Sequence, residues 1–574
     1  MKALLKYMHG YEKQCILGPF FKLLEASFEL CIPLVVAQIV DAGIGSGDQR
    51  YVLKMCIIMI LLGLVGLVCA VTAQYFAANA AVGFSARIRS ALMERILSLS
   101  YGQIDTLGTS TLITRMTSDV NQVQNGVNLT LRLLLRSPFV VFGAMIMAFS
   151  IDVQAALVFA GVIPVLCLIV FGIMLITMPM YKSVQASMDG VTSATRQNLS
   201  GVRVLRAFCK ERAEVENFSE KTGTLSARQQ SAGRSSALMN PITLVVVNLG
   251  VILLVHIGAM KVNAGLLTQG LVIALYNYMS QILVELVKMA NLIISITKAI
   301  ACGNRIEAIL EEKPAQADGG YSVRNVRGKV EFRNVTVCYD GAAEPSLEKI
   351  SFSAEPGSTI GIIGGTGSGK TTLINLIARL YDVQDGQVLV DDIPVQDYSM
   401  GNLRRQIGIV PQKAELFRGT IRENLLWGNE NATEADLWEA LNVAQCVELV
   451  KNKEEELDAA VEQRGLNFSG GQRQRLTIAR ALVRKPRILI LDDSTSALDY
   501  ATEASLRLAV SRLPNAPTTF IVSQRASSVR HADEILVLED GRVAGKGPHE
   551  SLLADCPVYQ EIYRSQFPEG GEDR

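Results

Sequence analysis

The sequence predicts a multi-domain chain: an all-α transmembrane domain of six helices, followed by an α/β domain of the phosphate-loop type. Three observations carry this. Apolar residues crowd into roughly the first 300 positions, in six stretches long enough to cross a hydrocarbon core, which takes about 20 helical residues. Beyond Gly328, short β-branched runs alternate with helical stretches, the pattern of a mainly parallel sheet. Within that region, Gly364-Gly365-Thr366-Gly367-Ser368-Gly369-Lys370-Thr371-Thr372 fills the pattern G-x-x-x-x-G-K-[ST]. It lies between Gly361-Ile362-Ile363, which reads as a strand, and Leu373-Ile374-Asn375-Leu376, which reads as a helix.

Composition bounds the class. A length of 574 residues implies at least two domains, and 49% hydrophobic against 19% charged residues is too apolar for a soluble enzyme. A formal net charge of zero offers nothing to a nucleic-acid partner. The ten cysteines are scattered with no C-x-x-C pair, so they read as reduced small hydrophobes, not as a disulfide frame or zinc site. The N-terminus, Met1 to His9, lacks the apolar core and cleavage site of a signal peptide. It reads instead as a short amphipathic helix at the cytoplasmic surface.

The spans are expected near Cys15–Ala42, Val52–Ala80, Leu131–Ile151, Val153–Met178, Ile242–Met260 and Gly270–Ile296. Their connections alternate. Gly43–Arg50, Asp152 and Lys261–Gln269 are short, whereas Ala81–Thr130 and Tyr181–Asn240 are long and polar. The long ones carry Arg87, Arg89, Arg95, Arg115, Lys182, Arg196, Arg203, Arg206, Lys210 and Arg212, which places them, and both termini, in the cytoplasm. A multi-pass protein of the bacterial cytoplasmic (inner) membrane is expected. The long loops keep a helical period, so the helices should continue into the cytosol. Breaks at Leu107-Gly108-Thr109-Ser110 and Leu199-Ser200-Gly201 should turn the chain back around a short helix. The expected domains are 1–312, a polar linker 313–328, and 329–574.

In the second domain the glycines let backbone N–H groups face an anion at a helix N-terminus. Lys370 is expected to reach the β/γ-phosphates of a nucleoside triphosphate, and the Thr371 hydroxyl to hold Mg²⁺. About 120 residues on, the buried run Ile488-Leu489-Ile490-Leu491 ends in Asp492-Asp493, where Asp492 can hold Mg²⁺ through water. Between them, Phe468-Ser469-Gly470-Gly471-Gln472-Arg473 opens a second anion-binding helix start.

These motifs in this order resemble the ATP-binding cassette (ABC) family over essentially the whole chain, as a half-transporter of the exporter type. The resemblance implies ATP with Mg²⁺ and further site residues. Tyr339 would stack on adenine, Gln412 would meet Mg²⁺, and Ser469, Gly470, Gly471 and Gln472 would close on the γ-phosphate of the partner subunit's ATP. Ser496 and Asp499 would cross the dimer interface, and Glu462-Gln463-Arg464-Gly465 would couple to the membrane domain.

Two positions depart from the family pattern. The glutamate that follows the Mg²⁺ aspartate as general base is here Asp493, and the switch histidine is here Gln524. Both are carried forward as degenerate catalytic positions. A carboxylate shorter by one methylene stops about 1.5 Å short, and a misplacement of that size costs roughly a hundredfold in rate. Glutamine can hydrogen-bond a phosphate but cannot relay a proton. The four histidines, His9, His256, His531 and His549, supply no obvious substitute. The expectation is a slow ATP site in a heterodimer with a second, different half-transporter, whose hydrolytic site this chain's signature completes.

Charges within spans are costly and default to functional candidates. Lys22, Glu25 and Glu29 lie in the first span, Arg132 and Arg136 at the start of the third, and Gln281, Glu285 and Lys288 share a stripe of the sixth with Tyr276 and Tyr278 nearby. At 1.5 Å per residue Glu285 lies roughly 22 Å deep, in the inner half of the membrane. Glu25, Glu29, Arg136, Tyr276, Gln281, Glu285 and Lys288 are therefore substrate-cavity candidates, with membrane lipid and a small amphipathic substrate as partners. An unpaired carboxylate among them would favour cations. The other reading is that the charges pair and hold the bundle together. Export of amphipathic drugs or lipids is expected; an importer on the same architecture and a nucleotide-gated regulator with little turnover are the alternatives. A cassette protein without transport is excluded by the six apolar runs.

Overall fold

The computed structural model describes residues 2–323, 326–339, 342–514 and 516–567. The chain forms two compact bodies: 1–97 with 110–312, and 98–109 with 313–574.

The first body is helical throughout. Its helices are α1 (Glu12–Gln38, prolonged by a π-helical turn to Ile44) and α2 (Gln49–Ser98). After α3 (Tyr101–Leu107), which belongs to the second body, come α4 (Thr109–Thr114), α5 (Val120–Leu133) and α6 (Arg136–Ile151). Then follow α7 (Val153–Ser200), α8 (Val202–Ala207), α9 (Glu211–Ala237), α10 (Met239–Asn263) and α11 (Gln269–Glu311). Among the described residues, six helical stretches are long and apolar enough to cross a membrane: Glu12–Ile44, Gln49–Ser98, Thr109–Ile151, Val153–Ser200, Glu211–Asn263 and Gln269–Glu311. All but the first run well beyond the apolar segment legible in the sequence, because the polar loops continue the helices.

The turn-backs have local causes. Gly108 ends α3 at φ +76°, a positive value that glycine adopts without strain. The second turn begins at Gly201, and its short helix, α8, follows the break; in the first, α3 precedes it.

Small residues set the packing distance in this body. Ala73, Ala77, Ala80 and Ala81 of α2 are fully buried. A Cβ on Gly126 would sit 2.2 Å from that of Ala299, so α5 and α11 approach as closely as backbones allow. Long apolar side chains such as Leu53, Ile60, Leu64 and Val68 of α2 remain exposed, as a lipid-facing helix requires.

Among the described residues, the second body contains two main sheets and a minor two-stranded one. Strands β1 (Val330–Val337), β2 (Leu347–Ala354), β4 (Asp385–Val390) and β5 (Ile393–Pro394) form an antiparallel sheet in the order β2-β1-β4-β5. The larger sheet contains β3 (Thr359–Gly364), β6 (Ile407–Val410), β9 (Ile488–Asp492), β10 (Thr518–Val522), β11 (Glu534–Glu539) and β12 (Arg542–Gly547). Its order is β12-β11-β3-β10-β9-β6, parallel except for the antiparallel edge strand β12. A minor ribbon pairs β7 (Gly419–Thr420) with β8 (Ala460–Val461).

Central strands are buried on both faces, which explains their unbroken apolar runs. Ile488 and Ile490 pack into the core that also holds Phe332, Phe352 and α12 (Lys370–Ile377), while Leu489 and Leu491 face the core on the other side. There stand α14 (Ile421–Leu426), α15 (Glu434–Val443), α16 (Val447–Lys451) and α17 (Gly470–Val483), whereas α13 (Met400–Gln406) packs Leu403 into the first core. After α17 the chain adds α18 (Tyr500–Ser511), α19 (Ala526–Val529), α20 (His549–Asp555) and α21 (Pro557–Gln566).

Candidate functional site

The phosphate loop runs from the end of β3 to the start of α12. Two of its glycines are indispensable on geometric grounds. A Cβ at Gly364 would lie 2.1 Å from the Leu538 carbonyl of β11, and Gly369 combines φ +91° with a Cβ position 2.6 Å from the Ser346 carbonyl. Lys370 folds back, its Nζ donating to the carbonyls of Gly364 (2.9 Å) and Gly365 (2.6 Å). Burial pushes the Lys370 ammonium down from its usual range, opposed by the charges of Asp493 and Asp492.

A cavity of about 320 Å³ brings the scattered motifs together. Its walls are Tyr339, Thr366, Gly367, Gly369, Lys370, Thr371, Thr372, Gln412, Asp492, Asp493 and Gln524, with Ser346, Val522 and Ser523. The Thr371 hydroxyl stands 3.2 and 3.3 Å from the two oxygens of Asp492. Burial raises the Asp492 carboxyl, the Thr371 hydrogen bond lowers it, and the neighbouring Asp493 raises it further. Threonine hydroxyl, aspartate and the Gln412 amide are all oxygen donors, which suits Mg²⁺ sharing its shell with phosphate and water. The described residues contain no group of three His, Cys, Asp or Glu that would form an all-protein metal cage.

Tyr339, Asp493 and Gln524 are each held by residues distant in the sequence. Tyr339 places its hydroxyl 3.0 Å from that of Thr372. Asp493 adopts φ +44°, and its N–H bonds the Val522 carbonyl at 2.9 Å. The loop carrying Gln524 is gripped by Gln566 of α21, which donates to the Gln524 carbonyl at 2.8 Å and accepts from the Ala526 N–H at 2.8 Å. Sequence reasoning missed Gln566, Ser346 and Ser523. Gln566 lies 42 residues past Gln524 with no motif around it, so only the packing of α21 reveals it.

The signature stands apart, since Ser469, Gly470, Gly471 and Gln472 do not line this cavity. Ser469 caps α17 in a reciprocal box: its Oγ accepts from the Gln472 N–H at 3.3 Å, and its N–H donates to Gln472 Oε1 at 2.9 Å. A Cβ on Gly471 would meet the Ala497 carbonyl at 3.0 Å, so the signature packs directly on the loop carrying Ser496 and Asp499. Ser496 Oγ donates to the Asp493 carbonyl (2.8 Å), and Asp499 caps α18 through Thr502 (3.0 Å).

The membrane candidates divide. Arg136 is buried and reaches Glu285 (2.7 Å) and Glu29 (2.5 Å); Glu285 also accepts from Ser137 (2.8 Å) and Lys288 (2.9 Å). Lys22 pairs Glu25 at 2.5 Å. Of the two readings left open, an unpaired carboxylate that would favour cations or charges that pair within the bundle, the structure shows pairing: Arg136 of α6 joins Glu29 of α1 to Glu285 of α11, and Glu25 pairs with Lys22 within α1. Tyr278 is likewise internal, donating to the Leu30 carbonyl at 2.6 Å. Tyr276 is exposed, and Gln281 buries an amide oxygen that has no partner among the described residues.

Six spanning helices joined to a phosphate-loop cassette with a separate signature define a membrane transporter driven by ATP. The chain belongs to the ABC transporter family. Residues 15–286 match the ABC transporter transmembrane region, and residues 347–496 match the ABC transporter nucleotide domain. The chain is 36% identical over 573 residues to an uncharacterised ABC transporter ATP-binding protein of Bacillus subtilis, covering 100% of both chains. It is 28% identical over 562 residues to an ATP-dependent lipid A-core flippase of Yersinia pestis, covering 97% of this chain and 96% of that protein. It shares its fold with a bacterial Atm1-family ABC exporter solved with ATP bound, at a TM-score of 0.80 and 22% identity, over 98% of this chain and 99% of that one.

Proposed function

We propose that this chain is the slow-turnover half of a two-subunit exporter. It holds ATP at its own site and completes, through Ser469 to Gln472, the hydrolytic site of a different partner half-transporter. The observation that carries this reading is the composition of one cavity. Lys370, Thr371, Asp492 and Gln412, the residues that would hold phosphate and Mg²⁺, stand beside Asp493 and Gln524, which lack the reach and the proton chemistry for hydrolysis. Mg²⁺ would supply charge neutralisation between the phosphates. Lys370 would bind the phosphates and Tyr339 would orient the adenine. Asp493, one methylene short, leaves the attacking water poorly held.

Export of an amphipathic, lipid-like substrate is supported by the relatedness to a lipid A-core flippase. The positive charge of the long loops supports an orientation with both termini on the cytoplasmic side of the membrane.

The test is ATP hydrolysis by the purified chain, alone and with a half-transporter carrying glutamate and histidine at the two positions. Little activity alone and robust activity together is expected. Robust hydrolysis by the isolated chain would sink the proposal.

A further inference from the structure

Three tyrosines link the adenine side of the cavity to the first short cytoplasmic helix. Tyr339 lines the cavity and meets Tyr381 edge-to-face, with ring centroids 5.1 Å apart at 86°. Tyr381 in turn lies 6.2 Å from Tyr101 of α3, and its hydroxyl donates to Asp105 of α3 at 2.8 Å. All four residues belong to the same compact body.

The backbone beneath Tyr381 is pinned. Arg379, buried and at φ +49°, bonds Asp382 (2.9 Å) and the Gln396 carbonyl (3.1 Å). Arg404 donates to the carbonyls of Ala378 (3.2 Å) and Arg379 (2.8 Å). A ring held on so rigid a base passes a displacement on to its neighbours instead of absorbing it. The short helix is also clamped at its other side. Gln103 donates to the Lys313 carbonyl (2.8 Å) and accepts from the Ala315 N–H (3.1 Å), so α3 grips the entry to the cassette as well.

We propose that Tyr381 is a positioning residue that ties adenine occupancy at this chain's site to the seat of α3. A base stacked on Tyr339 fixes that ring between the Thr372 hydroxyl and Tyr381. The Tyr381 hydroxyl then holds Asp105, through a charge-assisted bond stronger than a neutral one. Since linkage is reciprocal, a well-seated α3 also strengthens nucleotide binding by the same factor. The inference rests on the slow-site reading only for the duration of the signal: a retained nucleotide would make α3 report occupancy and not hydrolysis.

The test is hydrogen exchange of residues 101–107 in the full transporter complex, with and without a non-hydrolysable ATP analogue and Mg²⁺. In the unaltered complex the analogue slows exchange of both 101–107 and 364–372. Tyr381→Phe, which keeps the ring but removes the bond, is expected to abolish the slowing at 101–107 while that at 364–372 remains, and Asp105→Asn, which keeps only a neutral acceptor, is expected to weaken it. The two together should do no more than Tyr381→Phe alone, as members of one linkage. The ATP concentration for half-maximal binding should rise several-fold in each variant. Undiminished analogue-dependent slowing at 101–107 in Asp105→Asn would overturn the proposal, as would additive effects in the double variant. If the isolated chain proved to hydrolyse ATP, the slow-site reading would fall while this readout still stood, because it uses no hydrolysis.

Discussion

Arg136 of α6 places Nη1 2.7 Å from Glu285 Oε1 of α11, with the two side chains only 7% and 4% exposed. The same guanidinium also holds Glu29 of α1, so one side chain fastens three helices. Removing one partner of a buried pair leaves an uncompensated charge and costs about 3–5 kcal/mol. Arg136→Ala and Glu285→Gln are therefore expected to lower the thermal unfolding temperature of the purified transporter. Transport of a cationic and a neutral amphipathic dye should fall together. A loss confined to the cationic dye, at unchanged stability, would show that Glu285 reads substrate charge.

The signature cap separates a folding role from a role toward the partner. Ser469→Ala removes the oxygen that caps α17, a change worth about 1 kcal/mol, and should lower stability modestly. Ser469→Arg would put bulk where the partner's γ-phosphate is expected and should abolish turnover of the complex. Equal ATPase rates for Ser469→Arg and the unaltered complex would show that this signature does not serve a competent site.

Acid stability should follow the two histidines of the second body, His531 and His549. His549 sits 2.7 Å from the Tyr559 hydroxyl, and burial, reinforced by Arg530, holds its imidazole below the ordinary value of 6.5. His531 is lowered in the same sense, first by burial and then by Arg507 and Arg530. A base that is harder to protonate in the folded state contributes stability that is complete above pH 6.5 and lost as the pH falls through it. Melting of the purified transporter should thus weaken from about pH 7 toward pH 5, and His549→Gln should flatten that dependence. An identical pH profile in the variant would contradict the assignment.

Restoring the two departures should change which chain turns over. Asp493→Glu with Gln524→His is expected to let both sites of the complex hydrolyse, seen as vanadate-trapped nucleotide on both chains. Lys370→Ala should instead weaken nucleotide retention on this chain while leaving partial activity, which the partner's site supplies. Trapping on the partner alone in the restored variant would mean that positions 493 and 524 do not set the asymmetry.

Much of this architecture was legible in the sequence for definite reasons. A membrane span needs a long apolar run, and a phosphate loop needs glycines at fixed spacing, so both leave local marks; the six spans and the α/β cassette follow from them. The reach of the helices past the bilayer was legible only as a helical period in polar loops. What could not be read depends on contacts far apart in the chain. Glu285 meets Arg136 across 149 positions, and which faces of α1, α6 and α11 meet is decided by packing, not by spacing. Tyr381 meets Asp105 across 276 positions, and neither residue belongs to a motif. The antiparallel sheet of β1, β2, β4 and β5 was hidden for a similar reason. Its strands are interrupted by the phosphate loop and α12, so their pairing skips over the parallel core.

The account's central claim concerns what becomes of the nucleotide held by this chain. The complex would be loaded with Mg²⁺ and a photoreactive ATP labelled on the adenine, freed of unbound nucleotide, allowed one turnover and cross-linked. The nucleotide attached to each chain would then be identified as di- or triphosphate. The account predicts ATP on this chain and ADP on its partner. ADP appearing on this chain as fast as on the partner would contradict it.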